Sequence, residues 1–232
     1  MSSDISRRAF LRSAAIAAVG AAVGLAGCGT SRAAASSSSS AASSTPSSPS
    51  DAKQSAQSGD AAANKGGTKP LVVYFSYTGN TDTMAHWIAN ESGGDLSRVT
   101  VKDTYPDDYD ATVDRAKKEL DSGARPQITV DLDANKLAGY STVFFGFPIW
   151  WYDLPTLMCT FLESYDLSGK EVVPFFSHGG SASGANSLPT LESLAKGATV
   201  RSGDALSIPG DNVANSEQEV RAWVKKLGYS VS

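Results

Sequence analysis

Cysteine is nearly missing from this chain of 232 residues: it has two, Cys28 and Cys159. If Cys28 is used near the N-terminus, as argued below, Cys159 is solitary and no intrachain disulfide forms. Cys159 sits among Leu157, Met158 and Phe161, the setting of a packed core thiol. Histidine is equally scarce. His86 belongs to a helix opposite the face made by Met84, Ala85 and Ile88, and His178 lies in a distant loop. Two histidines so separated make no metal site. A Gly-Lys-Ser/Thr phosphate loop is lacking, as is a Gly-x-Gly-x-x-Gly fingerprint, which argues against a nucleoside-triphosphate or dinucleotide site. There is no internal repeat. No apolar run is long enough to cross a bilayer: Ala14–Ala26 would make about 20 Å of helix against a core of about 30 Å.

That run has another meaning. It follows Ser6-Arg7-Arg8-Ala9-Phe10-Leu11-Arg12 and ends in Leu25-Ala26-Gly27-Cys28. Twin arginines ahead of a short apolar stretch are an export address, to be kept apart from fold reasoning. The small residues before Cys28 resemble a lipobox, in which that cysteine is lipidated and becomes the mature N-terminus. Ordinary cleavage with Cys28 incidental is the alternative. Residues 1–28 are therefore expected to be a signal peptide. Residues 29–66, almost entirely Ser, Ala, Gly, Pro, Lys, Asp and Gln, hold nothing larger than alanine with which to build a core. They are expected to be a disordered tether with an r.m.s. span of roughly 34 Å.

Residues 67–232 remain as one domain. The first 66 residues carry six basic and three acidic groups, so the domain keeps 14 basic against 21 acidic, a net −7 where the whole chain has −4. Such a surface disfavours nucleic acid and anionic lipid and suits a basic protein partner; plain solubility is the other explanation.

Within the domain, strands and helices alternate. Leu71–Ser76 is a continuous apolar run, as for a strand buried on both faces. Further strands are expected over Leu96–Val101, Thr142–Gly146, Glu171–Phe176 and within Thr199–Ile208. Helices are expected over Thr81–Ser92, Tyr109–Asp121, Leu154–Tyr165, Ser187–Ala195 and Glu217–Leu227. Five strands separated by helices predict a doubly wound α/β domain, because each parallel return needs a crossover helix.

In such a sheet ligands lie beyond the carboxyl ends of the strands, where three connections are chemically unusual. Ser76-Tyr77-Thr78-Gly79-Asn80-Thr81 offers hydroxyls at 76, 78 and 81, a glycine, and the free amides of a helix start, which together can wrap a phosphate without a lysine. Simple helix capping by Thr78 or Asn80 would use the same residues. Gly146-Phe147-Pro148-Ile149-Trp150-Trp151-Tyr152 puts three large aromatics just past a strand, a cover for a flat ring or a staple to the core. Ser177-His178-Gly179-Gly180-Ser181-Ala182-Ser183-Gly184 is small enough for a ligand to approach its backbone. Asp153 is near the second connection with no visible partner, and no acid–base pair stands out.

At this point the chain resembles the flavodoxin family, in particular bacterial flavodoxin-like lipoproteins. The matching residues are Val73–Thr81, Tyr105-Pro106 with Ala116–Leu120, Gly146–Trp151, Phe161–Ser164, Gly169-Lys170, Val173–Phe175 and His178-Gly179-Gly180. The resemblance implies a flavodoxin-like five-stranded parallel sheet in the order 2-1-3-4-5, with the ligand at the point where the strand order reverses, a placement for which flavodoxin is itself a standard example. It implies FMN as cofactor, with phosphate contacts from Ser76, Thr78, Gly79, Asn80 and Thr81. Ring contacts would come from Pro148, Ile149, Trp150, Trp151, Ser177, His178, Gly179 and Gly180. A low-potential electron carrier at the outer face of the cytoplasmic membrane is then expected, held there by the lipid on Cys28. Its partner would be a basic redox protein or a quinone. An FMN-dependent NAD(P)H:quinone-type oxidoreductase, with His178 assisting protonation, is the alternative.

Overall fold

The apolar run that opens the domain becomes strand β1 (Leu71–Tyr74), and its residues are buried on both sides. Leu71 and Val73 face one layer, Val72 and Tyr74 the other, as the two-residue period of a strand requires. The computed structural model describes residues 69–179 and 184–231. The remaining elements are α1 (Asn80–Ser92), β2 (Asp95–Val101), α2 (Tyr109–Ser122), β3 (Ile128–Val130), α3 (Ala134–Ala138), β4 (Thr142–Pro148), α4 (Thr156–Ser164), β5 (Glu171–His178), α5 (Ser187–Leu194), β6 (Thr199–Val200), β7 (Leu206–Pro209) and α6 (Glu217–Lys226).

The sheet runs β3-β2-β1-β4-β5-β6, with β7 also paired to β5. All pairings are parallel except β2 with β3. The expected order 2-1-3-4-5 holds for the parallel part. Two features enlarge the expected five strands to seven. The last strand is split: after β6 the chain makes a 3-10 turn, Ser202–Asp204, before β7 resumes beside β5. And Ile128–Val130 returns antiparallel along β2 as an edge strand. Its three residues, alternating half-buried and exposed, are too short a pattern to read as a strand in advance.

The faces of the sheet are covered separately. On one, Met84, Ala85 and Ile88 of α1 and Val220 and Val224 of α6 pack on Val72, Phe144, Val173 and Phe175. On the other, Leu157, Met158 and Phe161 of α4 and Leu191 of α5 pack on Val73, Phe145, Phe147 and Phe176. Cys159 is buried there as expected, and burial pushes its thiol up to about 11. Helix α2 lies beside α4, joined by the Thr156 hydroxyl to Glu119 at 3.0 Å. Close packing dictates Gly146 in β4: a Cβ there would fall 2.2 Å from the Phe175 ring of the adjacent strand.

Strands β4 and β5 end later than the sequence pattern suggested, whereas β1 ends at Tyr74, short of the expected Ser76. Pairing of Pro148 with Ser177, and of His178 with Pro209 of β7, keeps Pro148 in β4 and Ser177 and His178 in β5 rather than in the loops that follow. Among the described residues no helix is long and apolar enough to cross a membrane. The expected signal peptide, Cys28 and the whole of the tether lie outside them.

Candidate functional site

Parallel register brings the carboxyl ends of β1, β4 and β5 to one edge of the sheet. The connection from β1 to α1 is built around two residues. Ser76 is buried, and its Oγ accepts the Gly79 N–H at 3.1 Å. Gly79 has φ +95°, a left-handed conformation that is costly for a residue with a Cβ, and open space where a side chain would be. Being a glycine, this N-cap has no side chain to offer the helix. Its carbonyl instead takes the N–H and the hydroxyl of Thr83, at 2.9 and 3.0 Å. The first-turn amides of α1 are thus left for a group outside the helix. Capping by the Thr78 or Asn80 side chain, the alternative use of these residues, is not seen. Thr78 is exposed at the loop tip. Asn80 starts the helix, with its side-chain amide against Gly210.

Thr81 and Ser177, expected to touch the same ligand from different loops, do meet. Both are buried, and their hydroxyls are 3.1 Å apart. His178 is half-buried at the last position of β5, and Gly179 beyond it is exposed. Gly180 and residues 181–183 lie outside the described residues.

The aromatic connection after β4 divides its three rings between two roles. Trp150 and Asp153 exchange backbone hydrogen bonds of 3.0 and 2.9 Å around a two-residue turn. Its central residues, Trp151 and Tyr152, have φ +50° and +66°. Two-residue turns of this kind suit Asn-Gly; two bulky aromatics in them carry strain. Trp150 is half-buried and meets Phe75, Tyr77 and Tyr105 edge to face, with centroids 5.5, 6.0 and 5.0 Å away. It is the staple. Trp151 and Tyr152 stay 41% and 54% exposed, Trp151 leaning on α2 through its Nε1 to the Val113 carbonyl at 3.2 Å. Pro148 and Ile149 are half-buried beside them, and the Ile149 N–H bonds the Ser177 carbonyl at 2.8 Å.

The sequence showed no partner for Asp153, but the fold supplies two donors: the Leu154 N–H at 2.7 Å and the Thr190 hydroxyl at 3.1 Å. With Asn186 N–H on the Tyr152 carbonyl at 3.2 Å, this fastens the third connection to the second.

Several contributors were not foreseen. The Tyr77 hydroxyl bonds the Pro106 carbonyl at 2.7 Å. Glu119, 13% exposed, accepts from Tyr105 at 2.7 Å and from Arg115 at 2.8 Å. Burial and that carboxylate push the Tyr105 hydroxyl far above its ordinary range. Arg98 reaches the first loop from β2. Tyr77, Tyr105-Pro106 and Glu119 all stand within the family pattern, which gave none of them a role. Arg98 carried no signal, and its contact with the first loop spans 22 residues.

Two open surface clefts of about 500 and 540 Å³ flank α2, lined by Arg115, Glu119 and neighbours. None of the three ligand-edge connections lines either of them. We place the site by its donors and rings instead, since a ligand lying along an edge needs no enclosed cavity. No group of His, Cys, Asp and Glu among the described residues could hold a metal ion.

A doubly wound sheet with an uncapped helix start and an aromatic turn at its carboxyl edge defines a class of α/β ligand-binding protein. The sequence model of the flavodoxin family matches residues 69–227, and the chain belongs to that family. A candidate flavoprotein from Bacteroides uniformis ATCC 8492 is 32% identical, with 68% of this chain and 99% of that one covered and a TM-score of 0.58. Another from Bacteroides eggerthii DSM 20697 is 30% identical over 68% and 97%, with a TM-score of 0.56. A flavoprotein from Lactobacillus acidophilus NCFM, solved in complex with FMN, is 26% identical over 64% and 98%, with a TM-score of 0.51. No curated protein matches the chain.

The buried hydroxyl pair gives a direct test of how the connections are joined. Thr81→Val should leave the Ser177 hydroxyl buried without its partner and lower stability by about 1–3 kcal/mol. Adding Ser177→Ala should recover part of that loss in the urea midpoint. A double variant no more stable than Thr81→Val would show that the two hydroxyls do not depend on each other.

Proposed function

We propose that this chain binds FMN along the carboxyl edge of its sheet and acts as an electron carrier. The observation that carries the reading is the start of α1. Gly79 leaves its first-turn amides uncapped, beside the buried Ser76 and Thr81, on the same edge as the Trp150–Asp153 turn. A phosphate dianion suits unsatisfied N–H groups at the positive end of a helix. The residues present fit FMN: Ser76, Gly79, Asn80 and Thr81 would hold the phosphate, with Thr78 at the tip. Trp151 and Tyr152, with Pro148, Ile149, His178 and Gly179, would border the ring.

Bound FMN supplies the redox chemistry; the chain supplies position and electrostatic field. That field is negative. Residues 67–232 carry −7, and Asp107, Asp108, Asp110 and Asp114 are exposed on and just before α2, on which Trp151 leans. Adding an electron beside such a surface is disfavoured, and each 1.4 kcal/mol lowers a one-electron potential by about 59 mV. This balance supports a low-potential carrier with a basic redox partner; a quinone is the alternative acceptor, and either would be met at the membrane.

Location is part of the same proposal. Ser6-Arg7-Arg8 and Leu25-Ala26-Gly27-Cys28 support export and lipid anchoring, with residues 29–66 as the tether. If Cys28 is the anchor, Cys28→Ala should move the exported protein from the membrane to the soluble fraction. An unchanged membrane fraction would refute lipidation there.

Stepwise reduction of the FMN-loaded protein tests the carrier. Two separate one-electron potentials are expected, the second well below that of free FMN. NADH or NADPH oxidation with a quinone should run no faster than with free FMN. A single two-electron step together with rapid NAD(P)H turnover would establish the oxidoreductase instead.

A further inference from the structure

One charged cluster touches the phosphate loop from outside and is not used in the reading above. Arg98 of β2 is in register with Tyr74 of β1. One guanidinium nitrogen, Nη2, donates to the Ser76 carbonyl at 3.1 Å; the other, Nη1, donates to Asp82 Oδ1 at 3.1 Å. The Tyr74 hydroxyl donates to that same oxygen at 2.9 Å. On the next turn of α1, His86 Nδ1 lies 2.9 Å from the Asp82 carbonyl and 3.6 Å from its Oδ2. Burial, then Asp82, push the Tyr74 hydroxyl up to about 12, so it stays a donor at neutral pH.

Asp82 poses an electrostatic problem for a phosphate site. It is the third residue of α1 and its only first-turn acid. A carboxylate there is drawn to the same positive helix end that a phosphate would use, and it repels a dianion. Arg98 answers this one charge for one. It also bridges the residue entering the loop to the first turn of the helix, which a lysine ammonium could not do with the same planar pair of donors. Ser76 is thereby fixed from both sides: its carbonyl on Arg98, its hydroxyl on the Gly79 N–H.

We propose that Arg98 is a positioning residue for the phosphate of the flavin, neutralising Asp82 so that an acidic first turn can accept a dianion. The inference rests on the FMN reading above. Its specific content is electrostatic. Were Arg98 only a clasp for the fold, its loss would weaken phosphorylated and unphosphorylated flavins alike, and removing the Asp82 charge would repair nothing.

The test compares FMN with riboflavin, which lacks the phosphate, on the full-length chain and its variants, each checked for folding by its urea midpoint. Arg98→Gln should weaken FMN about tenfold, a size set by the partial exposure of both side chains. Riboflavin affinity should change less than about twofold. Asp82→Asn should not weaken FMN, and the double variant should return to within about threefold of wild type. Arg98→Lys, which keeps the charge without the two-point bridge, should also stay within about threefold. Equal losses for both flavins, or a double variant as weak as Arg98→Gln, would overturn the proposal. If Arg98→Gln does not fold, a tenfold loss of FMN in Arg98→Lys would overturn it as well. A wild-type chain that binds FMN no better than riboflavin would remove the FMN reading itself and this inference with it.

Discussion

A helix that begins on a glycine in the left-handed region has no side chain with which to satisfy its own first amides. That is the constraint at the start of α1, and the rest of the ligand edge is arranged around it. Gly79 at φ +95° turns the chain sharply enough for the buried Ser76 to take its N–H. The turn aims the next amides off the end of the sheet rather than into a cap. Amides left unsatisfied within a helix end are suited to an anion.

The three connections at this edge are not independent loops. Thr81 meets Ser177, Ile149 meets Ser177 through its backbone, and Asn186 and Thr190 fasten the third connection to the turn at Trp151 and Tyr152. Trp150, enclosed by Phe75, Tyr77 and Tyr105, roots that turn in the core. Holding two bulky residues at positive φ is unfavourable on its own. Here it is sustained by the packed ring on one side and the half-buried Asp153 hydrogen bonds on the other. The result, among the described residues, is a cross-linked edge with two exposed aromatic rings, an arrangement suited to a flat cofactor and a colliding partner.

Much of this was legible in the sequence. The buried parallel strands announced themselves as apolar runs, and the connection from β1 to α1 stood out by its hydroxyls around a glycine. The chemistry of the aromatic turn was legible too, but not its division of labour. Nothing in Trp150-Trp151-Tyr152 says which ring packs inward, because that depends on Phe75, just past β1, and Tyr105, in the loop after β2, meeting it. The edge strand Ile128–Val130 escaped notice for want of length, and the split of β6 from β7 because a 3-10 turn interrupts a continuous pattern. Arg98 was invisible for a different reason: on an alternating strand it reads as an ordinary exposed charge. Its meaning comes only from register with Tyr74.

The central claim is that the first turn of α1 holds the phosphate of FMN. A crystal structure of the FMN-loaded protein tests it most directly. The account predicts phosphate oxygens within hydrogen-bonding distance of the Asn80 and Thr81 amides, with the flavin ring beside the Trp150–Asp153 turn. FMN bound elsewhere, in the clefts flanking α2 for instance, with the start of α1 left to solvent, would contradict it.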